Sequence, residues 1–109
     1  MTTCPLKKNK NMVKHIVMFR LNGTPEEKAA LGAQFKTAIE ALPAQIEQLD
    51  AVEVGLNDGP AEGNWDIVLT ALSADYEALN AYAVHPAHVA CVAIIKAAIN
   101  QRACVDYVC

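Results

Sequence analysis

VKHIVMFRLNGTPEE, residues 13–27, is the stretch whose reading decides the fold. From Val13 to Leu21 it reads as a strand. Val13, His15, Val17, Phe19 and Leu21 fall on one face, and Lys14, Ile16, Met18 and Arg20 on the other. Both faces carry apolar residues in the middle of the run, so both need at least partial cover. Asn22-Gly23 then turns the chain. Thr24-Pro25-Glu26-Glu27 starts a helix: Thr24 can cap, Pro25 suits the first helical position, and Glu27 completes a capping box.

Working outward, this helix should run to about Leu42, just before Pro43. Its apolar stripe is Leu31, Phe35, Ala38, Ile39 and Leu42, and Gly32 inside it costs some stability. Leu49 to Leu56 reads as a second strand, with Val52, Val54 and Leu56 on one face. Asn57 to Asn64 carries Gly59, Pro60 and Gly63 and reads as a loop. Trp65 to Leu72 is a third strand. Ser73 or Asp75 caps a short helix to about Ala83, with Tyr76, Leu79 and Tyr82 as its stripe. Val84-His85-Pro86 breaks it, because a residue before proline avoids the helical region. A further helical stretch is expected from Pro86 to about Gln101, its inner face Val89, Val92, Ala93, Ile95 and Ile99. Ala103 to Cys109 is the last strand.

The order is strand, helix, strand, strand, helix, strand. This is the split βαβ, ferredoxin-like pattern of the α+β class, an antiparallel sheet with helices on one side. Ile16, Met18 and Val68 would then form an apolar patch larger than monomers usually leave bare. Pairing two sheets face to face removes it, so a homodimer is expected. Residues 1–11 are polar and without periodicity and read as a disordered tail, leaving residues 12–109 as one domain.

Of the 109 residues, 53% are hydrophobic, enough for a core and too many for a disordered chain. Net charge is −3, and the cluster Lys7, Lys8, Lys10 and Lys14 is a local feature on an otherwise acidic chain. Nucleic-acid binding by phosphate neutralisation is not expected. No apolar run nears the roughly 20 residues that span a bilayer, and the amino end lacks a secretory h-region. The expectation is therefore no membrane partner and a cytoplasmic location. The cysteines Cys4, Cys91, Cys104 and Cys109 show no C-x-x-C spacing and are expected as free thiols. Cys91 and Cys104 read as small core residues, while Cys4 and Cys109 lie near the termini, where oxidation could form adventitious disulfides.

The titratable residues with a suggestive layout are Tyr82, His85 and His88, spaced by three, joined by His15 from the first strand. Three readings stand side by side. The histidines brace the helix break through hydrogen bonds. Or His88 or His15 is a general base beside Tyr82, which polarises a carbonyl oxygen. Or the histidines bind a metal, although no carboxylate or cysteine joins them at a recognised spacing. No metal or cofactor is expected. Val17, Phe19, Leu31, Phe35 and His85 are expected around a small-molecule pocket. Asp106-Tyr107 reads as an edge-strand feature, and Gly55, Gly59 and Gly63 form no phosphate-binding fingerprint.

At these residues the sequence resembles the stress-responsive A/B-barrel (Dabb) family. Val13-Lys14-His15-Ile16-Val17-Met18-Phe19-Arg20 opens as these domains open. Gly55-Leu56-Asn57, Asp66-Ile67-Val68-Leu69, Tyr82-x-x-His85-Pro86-x-His88 and Val105-Asp106-Tyr107 continue the pattern, from about Met12 to Val108. The resemblance implies a ferredoxin-like fold whose sheets pair into a dimeric α/β barrel. Some plant members are stable stress proteins, which implies a non-enzymatic homodimer as one alternative. A plant polyketide cyclase of the group performs a cofactor-free aldol condensation, with a histidine and a tyrosine matching His88 and Tyr82 and a pocket histidine matching His15. The sequence departs from it at Ala38, where the cyclase has a tyrosine, and at Asp66, where it has a histidine. A cofactor-free oxygenase is a further alternative, by analogy of fold alone.

Overall fold

The structure, a computed structural model of the chain, describes residues 11–109. The tail expected over residues 1–11 therefore lies, Asn11 apart, outside the described residues, as does Cys4.

The elements follow in order: β1 (Val13–Leu21), α1 (Pro25–Glu40), a 3-10 turn (Leu42–Ala44), β2 (Ala51–Leu56), β3 (Ile67–Ser73), α2 (Tyr76–Val84), α3 (Pro86–Ile95), a second 3-10 turn (Lys96–Ala98) and β4 (Ile99–Val108). The sheet order is β2-β3-β1-β4, and every neighbouring pair is antiparallel. This is the expected ferredoxin-like arrangement, with β1 and β3 central and β2 and β4 at the edges.

The capping box that opens α1 forms in both directions. The Glu27 amide donates to the Thr24 hydroxyl at 3.1 Å, and the Thr24 amide donates to the Glu27 carboxylate at 2.8 Å. Gly32 has a packing reason. A Cβ there would stand 3.1 Å from Cδ2 of Leu56, so the glycine lets α1 approach β2 closely. One turn on, Lys36 and Glu40 grip the backbone of Val54. The lysine donates to the Val54 carbonyl at 2.5 Å, and the Val54 amide donates to the Glu40 carboxylate at 3.0 Å.

Between sheet and helices lies the core, where Phe35, Ile39, Ala71 and Ile95 are fully buried. Phe19 from β1 and Phe35 from α1 meet edge to face, with centroids 5.8 Å apart.

The carboxyl-terminal third departs from expectation. Helix α3 stops at Ile95, and residues 99–101, expected as helix, are strand. Ile95 to Gln101 contains neither glycine nor proline, so no local breaker ends a helix there. Long-range pairing does: Leu21 pairs with Ile99, and the Asn22 amide donates to the Ala98 carbonyl at 2.7 Å. The result is an edge strand that runs alongside all of β1 and takes in Ile99 to Gln101, the end of the expected helix. Cys104, expected in the core, is exposed on this strand, whereas Cys91 is buried. Both are free thiols. Cys109, expected as a thiol that oxidation could draw into a disulfide, is disulfide-bonded. Val89 and Tyr76, expected on inner helix faces, are exposed.

Among the described residues, the second face of the sheet carries no helix. Ile16 lies opposite Thr70 and Val105, and Met18 opposite Val68 and Ala103. Val68, Val105 and Tyr107 on this face are 38%, 61% and 41% exposed. No single helix among the described residues is long and apolar enough to cross a membrane.

Candidate functional site

The site grows from two local rules. The alternation of β1 sends His15, Val17 and Phe19 toward the helices. The residue before Pro86 leaves the helical region, so His85 takes φ −64°, ψ 134° and α2 ends. Its imidazole then accepts from the Ala87 amide at 3.1 Å and caps α3. The two helices meet at a 63° bend. Tyr82, from the last turn of α2, and His88, from the first turn of α3, therefore lie side by side, with ring centroids 4.4 Å apart. His15 reaches Tyr82 from below, edge to face at 6.5 Å.

These three rings enclose a cavity of about 110 Å³. Val17, Phe19 and Phe35 complete its apolar wall, as expected from the sequence, together with Leu69, Val92, Ile99 and Arg102, which were not foreseen. The structure does not bring two expected lining residues into it. His85 is occupied as the cap of α3, and Leu31 packs at the far side of α1, beside Asn22 and Ala98. Ala38 packs against the core. Asp66 serves the backbone, accepting from the Leu21 amide at 2.7 Å. A wider groove of about 530 Å³ runs along the open face past Met18, Gly55, Trp65 and Val68, but no histidine, cysteine or tyrosine lines it.

Electrostatics divide the three rings. Nδ1 of His88 lies 2.9 Å from the Ala83 carbonyl oxygen. A carbonyl can only accept, so Nδ1 carries the proton and Nε2 keeps its lone pair in the neutral ring. Burial pushes the His88 pKa below the usual imidazole range. The Ala83 hydrogen bond opposes this shift, and the neighbouring His15 and Arg102 add to it. The Tyr82 hydroxyl is buried without a hydrogen-bond partner. Burial, with the Cys91 thiol adding a little, pushes its pKa far above the usual phenol range, so it stays protonated. His15 is held differently. Its Nδ1 is 2.5 Å from the Asp106 carboxylate and 3.5 Å from the Cys104 thiol.

Asp106 is thus more than the edge-strand feature expected of it, and the histidines are not without a carboxylate and a cysteine. The register of β1 and β4 sets His15 directly opposite Asp106, with Cys104 two residues away on the same face. His15 and Asp106 are 91 positions apart, so no spacing rule could reveal the pair.

Comparison with known proteins supports the same frame. A dimeric protein of unknown function with a ferredoxin-like fold from Bacteroides fragilis is 46% identical, with a TM-score of 0.84, over 88% of this chain and 94% of that one. A dimeric ferredoxin-like protein of unknown function from Thermobifida fusca is 31% identical, with a TM-score of 0.79, over 99% of this chain and all of that one. An uncharacterized protein of Streptomyces coelicolor is 35% identical over 76% of this chain and 86% of its own length. The sequence pattern of the stress responsive A/B barrel domain matches residues 13–109, and the chain belongs to that family.

Proposed function

We propose that the protein works as a homodimer, closed into a dimeric α/β barrel, and that each protomer uses the His15–Tyr82–His88 cavity for cofactor-free acid/base chemistry on a small carbonyl or aromatic compound. One observation carries the chemical reading. A protonated, unpartnered tyrosine hydroxyl and a neutral imidazole with a free Nε2 lone pair stand beside the same cavity. His88 would take the proton and Tyr82 would hold the developing oxyanion. The volume limits the ligand. An apolar cavity of about 150 Å³ accommodates benzene, so about 110 Å³ admits a smaller group unless the walls open.

The dimer is supported by the bare apolar face and by relatives described as dimeric at 46% and 31% identity. The free thiols of Cys91 and Cys104 fit a reducing cytoplasm, where the disulfide at Cys109 would open.

A thermal-shift screen of small aldehydes, ketones and aromatic acids tests the site, using wild type, His88→Gln and Tyr82→Phe. A compound that stabilises wild type and neither variant is the expected outcome, and turnover assays then follow with that compound class. Equal shifts in all three proteins, or none in any, would overturn the reading.

A non-enzymatic, stress-related homodimer is the second reading, and a specific observation favours it. The rings of His85 and His88 both hydrogen-bond backbone atoms around the helix break. Two of the three histidines therefore already have structural work. On this reading His88→Gln lowers stability markedly and no ligand is found.

A further inference from the structure

We propose that His15, Cys104 and Asp106 form a binding site for a borderline divalent cation of the zinc class, separate from the chemistry assigned to His88. One nitrogen, one sulfur and one oxygen, each a metal-ligand atom, lie within 4.8 Å of one another on one sheet face. Their spacing is close to that of a coordination shell. Tetrahedral zinc, with bonds of roughly 2.0–2.3 Å, sets sulfur–nitrogen and sulfur–oxygen edges of about 3.5 Å and a nitrogen–oxygen edge of about 3.3 Å. Cys104 Sγ lies 3.5 Å from His15 Nδ1 and 3.5 Å from Asp106 Oδ1. Only the His15–Asp106 edge, 2.5 Å long, is too short. That edge is a hydrogen bond, and it must open by about 0.8 Å when its proton leaves. The Asp106 side chain is 34% exposed on an edge strand, which gives it room to move.

Charge and protons balance. A divalent ion meets one thiolate and one carboxylate, so the filled site is neutral. Cys104 loses its proton to solvent. His15 stays neutral by carrying its single proton on Nε2 instead of Nδ1. One proton is released per ion bound, and no electron moves. The sulfur ligand disfavours magnesium and calcium, which take oxygen shells, and favours zinc or cobalt. Three protein ligands leave a fourth position for water. The charged groups near the cluster are Arg102, beside Cys104 on β4, and His88 from α3. Both repel a cation, so uptake weakens as His88 gains charge at low pH.

The test is titration of the full chain with Co²⁺ under a phosphine reductant, followed by the thiolate-to-cobalt absorption band and by zinc competition. Wild type should show the band and lose it to zinc. Cys104→Ser should lack it. Asp106→Asn and His15→Gln should bind Co²⁺ at least as weakly as the roughly 10–100-fold loss seen when an outer-shell partner is removed. A Cys4→Ser, Cys109→Ser double variant should keep the band, because the terminal thiols are not ligands. Thermal melts in chelator confirm that each variant folds. No band in wild type, a band that survives Cys104→Ser, or unchanged affinity in both Asp106→Asn and His15→Gln would overturn the proposal.

Discussion

The two faces of the sheet come from the same strands, one residue out of step, and they are finished in different ways. The helix-covered face buries Val17, Phe19, Leu69 and Phe35 and closes around the polar groups of the cavity. The open face presents Ile16, Met18, Val68 and Val105 with no helix over them among the described residues. Their hydropathy is similar, yet the role each face can take differs. A covered face spends its apolar residues on the stability of one protomer. A bare one holds the same residues in reserve for a partner.

The largest break in that contrast is Phe35→Ala. Phe35 is fully buried on the covered side, and its truncation should cost about 3–5 kcal/mol in denaturant unfolding. Val105→Asp on the open face should barely change the protomer's secondary structure. It should halve the particle mass seen by light scattering at a concentration where wild type is dimeric. If instead it unfolds the chain and leaves assembly intact, the two faces are not divided as described. A smaller effect is expected at the seam. Asp106→Asn weakens the hydrogen bond with His15, in which the two side chains are 15% and 34% exposed, and should cost about 1 kcal/mol or less.

The smallest effect is a slope with pH. Burial lowers the folded-state pKa of His88 below its unfolded value of about 6.5. The unfolded chain therefore binds this proton first, and stability falls as pH drops below about 6.5. The loss levels off once the folded ring also titrates. His88→Gln should flatten that part of the melting-temperature profile. A steeper profile in the variant would reverse the sign and place His88 in a site that stabilises its charge.

What the sequence disclosed follows the range of its signals. The capping box at Thr24, the break at Pro86 and the alternation of β1 are local, and each is found where the residues place it. The three histidines and Tyr82 were legible as a group because helix spacing and strand parity are short-range rules. The boundary of β4 was not legible. Residues 96–101 suit a helix, and only pairing with a strand some 80 positions earlier makes them otherwise. The same blindness hid Ile99 and Arg102 from the cavity, and Cys104 and Asp106 from His15. His85 was open to two readings, a brace at the helix break and a pocket residue; its ring nitrogen caps α3, as the first has it, and residue spacing alone could not choose between them.

The grip of Lys36 and Glu40 on Val54 carries a consequence for polymer growth. Both outward-facing backbone groups of that residue, at the centre of β2, are already taken by α1. A foreign strand seeking to extend the sheet there finds its hydrogen-bond sites occupied. The β4 margin has no such clamp among the described residues. A ribbon built from copies of this chain needs one growing edge to accept the other. With the middle of one edge taken, head-to-tail addition through β2 is hindered, whereas strand pairing through β4 joins two like edges and closes at two copies.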